Sequence, residues 1–248
     1  LMVENIYWSK RGCQVTILKM EKIELLMALC LLVLVYGIAG QAGMMQANAV
    51  GITKKERPVV VIDSGHGGND PGKVGVDGSL EKDINLQIAT RLKAYLEASD
   101  VEVVMTRDDD TGLYNSGDNN KKMADMRKRC EIINDTKPAL AVSIHQNSYP
   151  DPSVRGVQVF YYSRSEAGER MAALMEKAFR EGLPEETRVR DSKANEEYYL
   201  LRNTEVPAII LECGFLSCPE ELSLLMDQDY QEQFCKAAAR GILACMGK

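Results

Sequence analysis

The chain has 248 residues, 45% of them hydrophobic and 27% charged, with a formal net charge of −6. This is a globular composition, and net acidity without a basic patch interleaved with aromatics excludes a nucleic-acid-binding protein. One catalytic domain is expected, because the N-terminal segment differs from all that follows and the remainder has the length of a single core. In that segment Lys10, Arg11, Lys19 and Lys22 precede the apolar run "LLMALCLLVLVYGIAG", Leu25–Gly40, and no charge follows it until Lys54. A basic region, an apolar run and then "QANA", Gln46–Ala49, read as either a removable signal peptide or an uncleaved membrane anchor over residues 1–50. The solid run falls short of the roughly 20 residues that span a bilayer. Positive charge before the run places the rest of the chain outside the cytoplasm, with membrane contact only through this segment. Residues 51–57 read as a linker and residues 58–248 as the catalytic domain.

Val59–Ile62 is β-branched throughout or nearly so and reads as a buried strand, followed by a glycine-rich loop to Gly78. Ser79 is placed to cap a helix from Leu80 to Ala98, whose apolar positions Ile84, Ile88, Leu92 and Leu96 form one stripe. "VEVVMTRD" is the next strand, then a polar loop whose acids Asp108–Asp110 read as solvated, then a helix near Lys121–Asn134. "ALAVSIH", Ala139–His145, and "GVQVFYY" are strands, and Ser165–Glu181 is a helix stopped by Gly182. Tyr198–Leu201 reads as a short strand and "AIILE", Ala208–Glu212, as a buried one, and two helices finish the chain. Strands alternating with helices predict an α/β domain whose sheet is covered on both faces. The seven cysteines include no CxxC pair, which excludes a zinc knuckle. Cys213 and Cys218 read more simply as two small buried residues than as a disulfide.

The chain has two histidines, and both follow apolar strands: His66 lies in "VVVIDSGHGGND" and His145 closes "ALAVSIH". A third strand, "AIILE", ends on Glu212. In α/β folds the loops beyond the carboxyl ends of strands build sites, so these three groups are expected to converge. Imidazole is the commonest metal ligand, but two alone make a weak site, so a third ligand is needed. Glu81, Asp63 and Asp83 are the candidates, and Asp63 has a second reading as the acceptor that orients His66. Glu212, an acid after four apolar residues, is the candidate to take and return a proton. "SGHGG" lacks both the GxGxxG order and the P-loop lysine, which excludes a phosphate cradle. A serine nucleophile is excluded by the absence of GxSxG.

Together "IDSGHGGNDPGKVG", "SLEKDINLQIA", "VVMTRD", "RCEIIN", "AVSIHQNS", "GVQVFYY" and "LLRNTEVPAIILECGFLS" resemble the zinc-dependent N-acetylmuramoyl-L-alanine amidases of the Amidase_3 type, from Val59 to the C-terminus. The resemblance implies Zn²⁺ as cofactor, with His66, Glu81 and His145 as metal ligands and Glu212 as the catalytic acid. It implies a mixed, roughly six-stranded sheet flanked by helices, and hydrolysis of the amide joining N-acetylmuramic acid to L-alanine of peptidoglycan stem peptides. A short anchored or secreted member of this kind looks like the germination-type amidases of spore formers. That likeness implies a role in cortex muramic lactam formation and a partner lipoprotein. Two departures stand out: Ser64 replaces the family's usual proline, and "SIHQNS" carries Gln146 and Ser148 where alanines are usual. The alternative functions are a zinc peptidase or deacetylase acting on cell wall, and a catalytically silent wall-binding module.

Overall fold

The computed structural model describes residues 57–248 and, apart from them, the helical residues 26–27 and 29–37. The chain divides into two units, Leu1–Glu56 and Arg57–Lys248. Among the described residues no helix is long and apolar enough to cross a membrane. The cleavage motif, residues 51–56 of the expected linker and the basic residues before the apolar run lie outside the described residues.

Six strands form one mixed sheet in the order β2-β1-β3-β6-β4-β5. They are β1 (Val59–Ser64), β2 (Glu102–Met105), β3 (Leu140–Asn147), β4 (Gln158–Tyr162), β5 (Lys193–Asn195) and β6 (Ala208–Phe215). The β2, β1, β3 and β6 pairings are parallel, and β4 runs antiparallel to β6. Alternation along each strand sends residues to opposite faces, and both faces are apolar. Val60, Ile62, Val142, Ile144, Ile209 and Leu211 join one core with α1 (Glu81–Ala98), α3 (Glu166–Gly182) and α6 (Gln228–Cys245). Val61, Ala141 and Ile210 join the other with α2 (Lys121–Thr136) and α4 (Tyr199–Asn203). The remaining helix, α5 (Pro219–Met226), follows β6. The expected fold class, a mixed six-stranded α/β sheet with helices on both faces, is the one found.

Local differences from the expectation have identifiable causes. Tyr198–Leu201 is not a strand; Tyr199–Asn203 is helical and the strand lies earlier, at Lys193–Asn195. A four-residue apolar run carries too little periodicity to separate a strand from a helical turn. Ser79 does not cap α1: Leu80 holds the cap position with no side-chain bond, and Ser79 Oγ has no partner among the described residues. Ser165 does cap α3, accepting from Gly168 N at 3.0 Å. The acid run Asp108–Asp110 is exposed, as expected, and Asp110 in addition accepts from Lys82 Nζ at 2.7 Å and Gly68 N at 3.1 Å. Cys213 and Cys218, as expected, are buried and form no disulfide.

Candidate metal centre and active site

His66, Glu81 and His145 meet at the carboxyl ends of the parallel strands, each offering a donor atom within 4.8 Å of the others. His66 stands two residues beyond β1 with φ 62°, in the left-handed region that costs a non-glycine residue free energy. Gly67 and Gly68 follow, also at positive φ, so the chain reverses in a tight turn. His145 belongs to β3, and Glu81 opens α1 with only 2% of its surface exposed. Glu81 Oε1 lies 3.2 Å from His66 Nε2 and 3.0 Å from His145 Nδ1. The amide of Gln146 donates to the same oxygen at 3.0 Å, and Lys73 N donates to Oε2 at 2.7 Å. Burial alone would raise the Glu81 carboxyl, but bonds to His145 and His66 hold it well below the usual carboxylate range.

Two glycines make room for this approach. A Cβ on Gly65 would stand 2.3 Å from His145 Cε1, and one on Gly72 would stand 2.5 Å from Glu81 Oε2. His66 Nδ1 lies 2.9 Å from Asp70 Oδ2, an arrangement that orients a ligating ring. Asp63 does not take that part. Its face of β1 is the Val61 face, so its carboxylate turns toward α2, where it accepts from Arg129 Nη1 and Thr106 Oγ1, both at 2.7 Å, and from Ser143 Oγ. Asp83, on the exposed side of α1, is absent from the cluster.

Glu212 lies on β6 directly opposite His145 on β3. Its Oε1 accepts from Tyr198 Oη at 3.3 Å, while its Oε2 is buried with no partner among the described residues. Burial pushes the Glu212 carboxyl above its ordinary range, against the pull of His145. Tyr198 is likewise raised, by burial and by the carboxylate beside it. All four groups line one cavity of about 460 Å³, with Lys73 and Lys122 at its wall. Two imidazoles and a carboxylate suit a divalent transition metal with an open position, and Glu212 lines the same cavity. The residues present therefore fit a metal ion.

Asp70, Arg129, Arg107, Asn85 and Tyr198 also shape the site and were not among the candidates from sequence. Asn85 Nδ2 donates to Gly65 O at 3.1 Å, and its side-chain oxygen accepts from Gln146 Nε2 at 3.1 Å. For Asn85 a signal existed: a polar side chain on the apolar stripe of α1, one turn after Glu81.

Residues 60–244 match the family described as N-acetylmuramoyl-L-alanine amidase. The chain belongs to that family. This amidase is 36% identical over 188 residues to the germination-specific N-acetylmuramoyl-L-alanine amidase of Bacillus subtilis (strain 168), covering 75% of this chain and 78% of that one. Its fold is similar to the CwlD amidase of Clostridioides difficile, solved in complex with the GerS lipoprotein, at TM-score 0.74 and 33% identity, over 77% of this chain and 99% of that one. It is also similar to the catalytic domain of CwlV, an N-acetylmuramoyl-L-alanine amidase from Bacillus (Paenibacillus) polymyxa var. colistinus, at TM-score 0.68 and 31% identity, over 77% of this chain and 98% of that one. The amidase hydrolyses the amide between N-acetylmuramic acid and L-alanine of peptidoglycan.

Proposed function

We propose that this amidase is zinc-dependent, that His66, Glu81 and His145 hold the zinc, and that Glu212 moves the proton during hydrolysis. The observation that supports it is the convergence of three donor atoms from a loop, a helix and a strand, with a buried carboxylate beside them that has one oxygen unpartnered among the described residues. Bound there, zinc supplies polarisation of the scissile carbonyl and lowers the pKa of a water toward about 7. The chain's own residues do the rest. Asp70 keeps the His66 ring turned into the site, and the Gln146 and Lys73 amides keep the Glu81 carboxylate from rotating away. Glu212 accepts the proton of the attacking water and returns it to the departing nitrogen of L-alanine. Its raised affinity for a proton suits both halves of that exchange, and Tyr198 holds one of its oxygens so that the other faces the reacting atoms.

The substrate reading extends to place. Action outside the cytoplasm follows from a wall polymer as substrate, and the N-terminal segment is the signal or anchor that delivers the domain there. The germination-specific name of the Bacillus subtilis relative supports a role on spore cortex, where removal of stem peptides precedes muramic lactam formation. The CwlD–GerS complex supports a lipoprotein partner for this chain as well.

Metal analysis of the purified chain is expected to find bound zinc. Chelation is expected to stop release of stem peptides from isolated wall, and added zinc to restore it. Mass spectrometry of the products is expected to show a free N-terminal L-alanine. Full activity in the chelated protein would overturn zinc dependence, and a zinc-free preparation with normal turnover would do the same.

A further inference from the structure

Arg107 follows β2 and is only 3% exposed. Its four hydrogen bonds all go to backbone carbonyls. Nε donates to Ser64 O at 2.9 Å and Nη1 to Asp109 O at 2.8 Å, while Nη2 donates to Gly65 O at 3.0 Å and to Lys82 O at 2.8 Å. Arg129, its buried neighbour, divides its bonds: it pairs with the carboxylates of Asp63 at 2.7 Å and Asp125 at 2.6 Å and also donates to Ser64 O at 2.6 Å and His66 O at 2.5 Å, but among the described residues it makes no bond to the backbone of α1. A buried guanidinium satisfied only by carbonyls is an expensive way to add stability.

The positions of those carbonyls give the expense a purpose. Gly65 immediately precedes His66, and Lys82 immediately follows Glu81. One nitrogen of Arg107 thus ties the backbone beside His66 to the backbone beside Glu81. Asn85 of α1 also donates to Gly65 O, but among the described residues Nη2 of Arg107 is the one side-chain atom that donates to both carbonyls. Because Nε is fixed on Ser64 O and Nη1 on Asp109 O, the planar guanidinium holds Nη2 and its two hydrogens in one place, which a lysine ammonium on a flexible stem does not reproduce. A second observation agrees. The loop crosses over the arginine at Gly67 (φ 136°), where a Cβ would lie 2.9 Å from both Cδ and Nε of Arg107 and 2.5 Å from Thr111 O. The loop therefore lies against the arginine shaft, and His66 is held at φ 62° by bonds on the carbonyls just before it.

We propose that Arg107 is a positioning residue for the metal centre: its guanidinium sets the separation of His66 and Glu81 by bridging Gly65 O and Lys82 O. The proposal rests on the reading of His66, Glu81 and His145 as zinc ligands. Such outer partners are worth about 10- to 100-fold in metal affinity or activity.

The test measures zinc affinity of the metal-free chain by competition with a chromophoric chelator, alongside far-UV circular dichroism and thermal melting. Arg107→Lys and Arg107→Gln are compared with the wild type and with His66→Ala. Zinc affinity is expected to fall about 10- to 100-fold in both Arg107 variants at a temperature where their circular dichroism matches the wild type. After zinc saturation kcat is expected to stay low while KM remains within about twofold, as misplacement of reacting groups predicts. Wild-type zinc affinity in Arg107→Lys, with zinc lost in His66→Ala, overturns the role of Arg107 alone. Wild-type zinc affinity in His66→Ala overturns the ligand reading itself. Failure of both Arg107 variants to fold assigns the arginine to stability and overturns the proposal as well.

Discussion

His145 and Glu212 face each other across neighbouring parallel strands, paired in register between β3 and β6. The sheet itself therefore sets the distance between an imidazole of the proposed metal site and the carboxylate proposed to handle the proton. Main-chain ladders are stiffer than loops, so this pair needs no closing motion to come together.

Replacing Glu212 by Gln keeps the shape of that pair and removes the proton acceptor. Zinc content is expected to be unchanged, and kcat for stem-peptide release to fall by about 10²- to 10⁴-fold. Retained turnover in Glu212→Gln would remove this residue from the mechanism. Because the Glu212 carboxyl is buried, the neutral amide is expected to leave thermal stability equal or slightly raised.

Asp70 is hydrogen-bonded to His66, one of the proposed ligands, with Nδ1 to Oδ2 at 2.9 Å. Its other oxygen accepts from Gly72 N at 3.1 Å, which secures the carboxylate in place. Asp70→Asn is expected to weaken zinc binding about 10- to 100-fold without loss of the fold. A chelator competition measured beside a melting curve separates the two effects. Unchanged affinity would reduce Asp70 to a loop-shaping residue.

What the sequence made legible and what it hid differ by the range of the interaction. His66, His145 and Glu212 were visible because each is a chemically distinctive side chain at the end of an apolar run, and parallel strands bring their ends together. Glu81 needed the family resemblance, because Asp63 and Asp83 are equally acidic and nearly as close in sequence. Strand alternation carried more than was read from it: Asp63 shares a face with Val61, the face that α2 covers, and there Arg129 takes its carboxylate. Asp70, Arg107 and Arg129 stayed hidden because their partners lie across turns and between elements. Nothing local to "VVMTRD" shows that its arginine passes beneath the His66 loop. The misread of Tyr198–Leu201 has another source, since four residues with apolar character fit a strand and a helical turn equally.

The Asp63–Arg129 pair makes stability depend on acid. Burial raises the Asp63 carboxyl, but the Arg129 charge, the Ser143 bond, the nearby His145 and the Thr106 bond together lower it to about 2 from the ordinary 3.8. A carboxylate lowered on folding contributes stability that is fully present above its unfolded pKa and is lost as pH falls through its folded one. The window runs from about 3.8 down to about 2. The contribution lost between pH 5 and pH 2 is about 2 kcal/mol. Urea unfolding of the metal-free wild type and of Asp63→Asn is expected to show the difference between them shrinking by that amount over this range. A constant difference would show that Asp63 keeps its ordinary pKa in the fold.

Gly65 offers the sharpest steric test, because the space a methyl would need is the His145 ring. A Cβ there would lie 2.3 Å from Cε1, 2.5 Å from Nε2 and 2.8 Å from Nδ1, all closer than real contacts allow. The ring cannot yield freely, since its Nδ1 is held 3.0 Å from Glu81 Oε1. The backbone cannot yield freely either: Gly65 N donates to Ile144 O at 3.1 Å, and Gly65 O accepts from Asn85 and Arg107. Gly65→Ala is therefore expected to displace His145 from the cluster. Zinc affinity is expected to fall at least 10-fold, comparable to loss of an outer partner, and overpacking to cost about 1–3 kcal/mol of stability. Gly117, whose Cβ would meet nothing within 4 Å, is the control, and Gly117→Ala is expected to change neither quantity by more than about 1 kcal/mol. Equal zinc affinity in the two alanine variants would show that His145 has room the structure does not give it.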